Sequence, residues 1–165
     1  MVESRRTQCT YDVHLFCVHA GWPPAGDSLL SSGDAKAAVD AYGEALGHEP
    51  SFVSALANRA AARLASGDAA GAVDDCGAAL DIFESDDVVA GPVPPAGSSQ
   101  RRTWVLRTLA RRGAALSRVG RLDDAVADFE AAVAIAPDDE KLKSDLEKLR
   151  TEAAKATPAA EAALD

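Results

Sequence analysis

Small and apolar positions recur along this chain in a set order. Gly33-Asp34-Ala35-Lys36-Ala37-Ala38-Val39 is matched by Gly67-Asp68-Ala69-Ala70-Gly71-Ala72-Val73 and by Gly120-Arg121-Leu122-Asp123-Asp124-Ala125-Val126. Each copy reads Gly, charged residue, small or apolar residue, two spacers, Ala, Val. Ala72 stands 34 residues after Ala38, and Ala125 stands 53 after Ala72, the same period plus 19 inserted residues. Seven residues before each Gly comes a small residue, Gly26, Ala60 or Gly113, which lets two helices cross closely. Seven residues after each repeat Ala comes another, Ala45, Ala79 or Ala132, with a filler between them at Tyr42, Cys76 or Phe129. A 34-residue period of this form predicts helix-turn-helix pairs that stack. Pro50 and Pro137 close the second helix of copies one and three, because Pro cannot continue a helix. Copy two has Glu84 there and runs into the insertion.

The pattern fails at three places. From Ser85 onward, Asp86-Asp87 and Gly91-Pro92-Val93-Pro94-Pro95-Ala96-Gly97-Ser98-Ser99 show no period and read as a flexible joint. After Pro137, Asp138 can cap a further helix. Its Leu142, Leu146 and Leu149 share one face and suit a helix that covers the open end of the last repeat. Residues 1–25 do not fit either. Trp22-Pro23-Pro24 falls where the first helix of copy one should run and is expected to stop it, so this helix should be shortened or malformed. That mismatch points to a leader foreign to the array or to a fragment of a longer protein. The division expected is a poorly ordered leader over 1–25, a three-repeat domain over 26–154 and a flexible tail over 155–165. The repeats take about 19–52, 53–84 and 106–139, with an inserted loop over 85–101 and a capping helix over 139–154.

An Ala-rich chain with 5% aromatic residues favours helices packed through small side chains. No run of 18 apolar residues occurs, so no membrane-spanning helix is expected, and a net charge of −9 argues against general nucleic-acid binding. Of three cysteines, Cys76 occupies a packing position, and reduced thiols and a cytosolic address follow. Cys9, His14, Cys17 and His19 match no common zinc spacing, so neither a metal nor any other cofactor is expected. His48 is the lone histidine of the array, and no nucleophile, phosphate loop or paired carboxylates can be assembled, so the chain does not read as an enzyme.

Charge is segregated. Leu64 to Gln100 holds seven acids and no Lys or Arg, whereas Arg101 to Arg121 holds seven arginines. Arg107, Arg111 and Arg118 share one helical face. Either acids such as Asp74, Asp75 or Asp128 neutralise these arginines across the stack, or they form a stripe that holds an acidic peptide.

The repeat residues Ala38, Ala72 and Ala125, with Ala45, Ala79, Ala132 and Gly113, carry a resemblance to the tetratricopeptide repeat family over residues 26–150. It implies an all-α fold: an α-solenoid of three helix-turn-helix repeats with a C-terminal capping helix. Family members that serve Hsp90 and Hsp70 hold a peptide's terminal carboxylate with Lys and Asn from the first repeat, Asn from the second, and Lys with Arg from the third. Counted from each small residue, these positions fall on Pro23 and Asp27, on Asn58, and on Arg107 and Arg111. Three fit, although Arg for Lys changes the geometry. Pro23 and Asp27 do not fit, and Asp27 should repel a carboxylate. The phrases Asn58-Arg59-Ala60-Ala61, Arg111-Arg112-Gly113 and Asp128-Phe129-Glu130-Ala131-Ala132 add a narrower likeness, to co-chaperone repeat domains that preassemble axonemal dynein arms. It implies Hsp90 or Hsp70 tails as partners, with dynein assembly factors or dynein chains as further ones and a cytoplasmic or ciliary setting. A scaffold binding through an apolar groove near Leu30 and Leu64, and a regulatory fragment of a larger enzyme, remain the alternatives.

Overall fold

The structure, a computed structural model, describes residues 22–85 and 93–161. Seven helices follow one another: α1 (Trp22–Ser31), α2 (Ala35–His48), α3 (Val53–Ser66), α4 (Ala69–Glu84), α5 (Ser99–Arg118), α6 (Leu122–Ile135) and α7 (Glu140–Glu161), with no strand among the described residues. Each helix packs on the next, and α3 also touches both α1 and α5. The fold is therefore an α-solenoid of three helix pairs closed by α7, with the first helix of each pair in one row.

The turn inside each pair explains the repeated Gly. Gly33, Gly67 and Gly120 have φ of +88°, +93° and +83°, a left-handed conformation that costs Gly least. The next N–H in each copy donates five residues back: Asp34 to Leu29, Asp68 to Arg63, Arg121 to Leu116, at 2.8–2.9 Å. The charged residue then starts the second helix. Asp34 accepts from the Ala37 N–H at 3.1 Å and Asp68 from the Gly71 N–H at 2.9 Å. Arg121 cannot cap in this way; it pairs with Asp124 instead.

The repeat alanines Ala38, Ala72 and Ala125, and also Ala45, Ala79 and Ala132, are wholly buried. The small residue and the filler meet across each pair. A Cβ on Gly26 would lie 2.6 Å from the Tyr42 ring, and one on Gly113 would lie 2.6 Å from the Phe129 ring. Copy two makes the opposite choice, a methyl at Ala60 and a slim Cys76, which share one buried cluster with Ala72 and Ala115. Ala72→Leu and Ala125→Leu are expected to cost about 1–3 kcal/mol each through overpacking, whereas Ala96→Leu, exposed in the joint, should leave the melting temperature within a degree or so. Equal shifts for all three would show that the repeat register is misplaced.

Several boundaries differ from expectation. Trp22-Pro23-Pro24 does not stop α1 but opens it. The first N–H groups of a helix have no intrahelical acceptor, so Pro is tolerated in the first turn. α1 is nonetheless short, 10 residues against 14 in α3. The expected leader over 1–25 thus ends inside α1, while its residues 1–21, with Cys9, His14, Cys17 and His19, lie outside the described residues. α5 begins at Ser99, inside the expected loop, because the Ser98 hydroxyl caps it by accepting from the Arg101 N–H at 3.1 Å. The cap of α7 is Asp139, one residue beyond Asp138; it accepts from the N–H groups of Lys141 and Leu142 at 3.0 and 3.1 Å. α7 continues past Ala154 to Glu161, through an Ala-rich stretch of high helix propensity; residues 162–165 of the expected tail lie outside the described residues. Leu146 and Leu149 are buried with Phe129 and Ala125, and Leu142 packs beside them.

Candidate peptide-binding groove

Asn58 on α3 and Arg107 and Arg111 on α5 line one pocket of about 190 Å³. Its apolar wall is Val53, Phe83 and Trp104, the two rings meeting edge to face with centroids 6.5 Å apart. Trp104 stands on the part of α5 that lay in the expected insertion or just beyond it. The repeat pattern does not mark it as a wall of the site. Arg101 secures this end of α5: its guanidinium donates to the Phe83 carbonyl and lies 5.6 Å from the Phe83 ring centroid.

Arg111 is drawn across the groove by α3. Its Nη1 donates to the Ala57 carbonyl at 3.0 Å, and about two turns on, Arg118 Nη1 donates to the Leu64 carbonyl at 2.7 Å. Burial pulls the Arg111 pKa down, and neighbouring Arg107 acts in the same direction. No carboxylate pairs with Arg107 or Arg111 among the described residues. Of the two alternatives for the arginine stripe, neutralisation by Asp74, Asp75 or Asp128 is not seen at Arg107, Arg111 or Arg118 among the described residues. Asp75 is taken by Arg59 and Arg63, at 2.6 and 2.9 Å, and Asp128 takes Arg112 through two bonds of 2.7 and 2.8 Å. The sequence pattern points to Asp75 and Asp128 as acids facing arginines but does not assign Asp75 to Arg59 and Arg63 or Asp128 to Arg112. The signal for these pairs was available, since Arg59–Asp75 and Arg112–Asp128 share a spacing of 16 residues.

Asp27 on α1 joins the site in an unforeseen way. Its Oδ1 accepts from Asn58 Nδ2 at 3.0 Å and from the Tyr42 hydroxyl. Burial raises the Tyr42 pKa, and the bond to Asp27 raises it further, so the hydroxyl remains a donor. Asn58 thus already holds a carboxylate, supplied by the chain itself. Cys76 lies behind the groove, and burial pushes its thiol up to about 12; it is a neutral filler. Leu30 and Leu64 are half-buried against core clusters. A wider depression of about 570 Å³ lies between α4, α5 and α6, but its Arg112 and Arg121 are already paired with Asp128 and Asp124.

A family model, the bacterial transcriptional activator domain, matches residues 51–164. The chain belongs to this family. The matched span holds the second and third helix pairs and α7. No curated protein matches the chain. Among solved structures, the second tetratricopeptide domain of human RPAP3, in complex with the HSP70 peptide SGPTIEEVD, is 22% identical with a TM-score of 0.66, over 84% of this chain and 98% of that one. The first such domain of Spaghetti (RPAP3), bound to the HSP90 peptide SRMEEVD, is also 22% identical, with a TM-score of 0.63 over 78% and 87%. The Arabidopsis OM64 domain is 24% identical, with a TM-score of 0.62 over 78% and 90%. These likenesses establish the tetratricopeptide fold.

Proposed function

We propose that the chain is a peptide-binding adaptor of the co-chaperone kind, whose groove along α1, α3 and α5 takes an extended acidic C-terminal peptide of the Hsp70 or Hsp90 type. The observation that carries this reading is the convergence of Asn58, Arg107 and Arg111 on one pocket, with neither arginine met by an acid among the described residues. A carboxylate entering there gains charge-assisted bonds, the stronger class of hydrogen bond. Two similar structures hold such peptides in the same fold. A cytoplasmic role in preassembling axonemal dynein arms extends the reading. It is carried by the likeness of Asn58-Arg59-Ala60-Ala61 and Arg111-Arg112-Gly113 to dynein axonemal assembly factor 4. The family match favours a second reading, an interaction module of a bacterial transcriptional activator that uses the same groove for a protein partner.

Calorimetric titration with SGPTIEEVD separates these readings. Weak binding is expected for the unaltered chain, because Asp27 opposes the incoming carboxylate. Asp27→Asn should tighten it. Arg111→Ala should weaken it at least tenfold, since a hydrogen bond to a charged group contributes about 1.5–3 kcal/mol. Arg121→Ala, in an exposed pair with Asp124, should change nothing. No heat from either the unaltered chain or Asp27→Asn would remove the acidic-tail reading and leave the activator module.

A further inference from the structure

The apolar wall of the groove has no equivalent in copy two. Trp104 stands nine residues before Gly113 and Arg101 twelve before it; counted from Ala60, the same positions are Ser51, ahead of α3, and His48, at the end of α2. The wall exists because α5 runs to 20 residues, against 14 in α3. Arg101 joins the parts that this extra length brings together. Its Nη2 donates to the carbonyl of Phe83, near the end of α4. Its Nη1 stands 3.5 Å from the carbonyl oxygen of Pro94, and its guanidinium carbon lies 5.6 Å from the Phe83 ring centroid. Pro94 is buried, and Val93 packs against the core cluster that holds Phe83 and Trp104. Trp104 follows Arg101 by three residues, so the two share a face of α5. Its half-buried ring meets Phe83 edge to face and lines the same pocket as Arg107.

Resting on the adaptor reading above, we propose that Arg101 is a positioning residue of the groove: it fixes the Phe83–Trp104 wall beside Arg107 and, through that wall, sets how tightly an acidic peptide is held. Arg suits the task because its planar fork can serve two carbonyls while its face covers a ring. A wall held in place before the peptide arrives need not be ordered on binding, which is the cost that preorganisation removes. Lys, a compact cation on a flexible stem, keeps the charge but not the fork.

The test reads Trp104 and peptide affinity separately. In a Trp22→Phe background Trp104 is the one indole of the chain, and acrylamide quenching of its fluorescence reports how well the wall is packed with no peptide present. Arg101→Ala should raise that quenching and weaken SGPTIEEVD, by calorimetry, about two- to tenfold, the cost of ordering one side chain on binding. Arg101→Lys should recover part of both. Trp104→Ala should weaken the peptide at least as much, and adding Arg101→Ala to it should cost little more, because Arg101 acts through the ring. Melting temperatures are taken alongside, and binding is measured on folded protein. An Arg101→Ala protein with a lowered melting temperature but unchanged quenching and affinity would overturn the inference, as would losses that add in the double variant. In either case, SGPTIEEVD binding that Arg111→Ala removes would leave the adaptor reading standing. Failure of SGPTIEEVD to bind the unaltered chain or Asp27→Asn would overturn both.

Discussion

Arg112→Ala is expected to lower stability by about 2–3 kcal/mol, because it leaves the Asp128 carboxylate buried and unpaired. Breaking a buried pair from one side costs about 3–5 kcal/mol. The smaller figure applies here because the Arg112 side chain keeps 29% of its exposure, against 7% for Asp128. In a domain of this size the melting temperature should fall by roughly 5–10 °C. The pair itself need not be strongly stabilising. Copy one has Ala25 and Ala41 at the positions of Arg112 and Asp128, so the fold already contains a repeat with both partners removed. Arg112→Ala/Asp128→Ala should therefore cost less than Arg112→Ala alone. A double-mutant cycle by thermal or urea unfolding measures this. Additive losses in the double variant would mean that the two side chains act separately.

The repeats were legible because geometry limits the residue types at a few positions. A left-handed turn residue favours Gly, and a close helix crossing needs a small residue opposite a filler. Both constraints recur at Gly33, Gly67 and Gly120, and at Ala38, Ala72 and Ala125. The helix starts were less legible. Pro23-Pro24 can end one helix or begin another, and Ser98 disappears as a cap within a Pro- and Gly-rich joint. Of the candidate site residues, Asn58, Arg107 and Arg111 come from the tetratricopeptide resemblance laid onto the repeat register, and they line one pocket. The bond between Asp27 and Asn58 could not be read, because it joins helices of two repeats, 31 residues apart. Nor could the acids be assigned correctly to the arginines, since Asp74 and Asp75 are neighbours in sequence but only Asp75 faces Arg59 and Arg63.

Repeat one solves a problem that the other copies solve differently. Arg59–Asp75 and Arg112–Asp128 tie the two helices of copies two and three together. Without that pair, copy one ties α1 to α2 through the Tyr42 hydroxyl and Asp27, and the same carboxylate continues to Asn58 on α3. The residue proposed to oppose an acidic ligand also anchors the shortest helix among the described residues. Asp27→Asn is the informative change because the amide oxygen can still accept both bonds, so charge is removed while the tie is retained.

Gly113→Ala should destabilise the protein by about 1–3 kcal/mol, although Ala is the better helix former by about 0.8–1.0 kcal/mol. Sterics outweigh propensity here. The new methyl would stand 2.6 and 2.7 Å from two carbons of the Phe129 ring and 3.3 Å from the Ala125 carbonyl oxygen. The ring is held in a buried cluster with Leu116, Leu146 and Leu149, and moving it would also disturb the seat of α7. Copy two shows the compatible partner for a methyl, since Ala60 lies opposite Cys76 with both wholly buried. Phe129→Cys alone should cost several kcal/mol, as loss of a buried aromatic leaves a cavity. Gly113→Ala/Phe129→Cys should lose less than the sum of the two, because the methyl occupies part of the space the ring vacates. Thermal unfolding of the three variants measures the coupling. A Gly113→Ala protein as stable as the parent would mean that the helices of copy three separate readily, and that close contact is not what selects the small residue at this crossing.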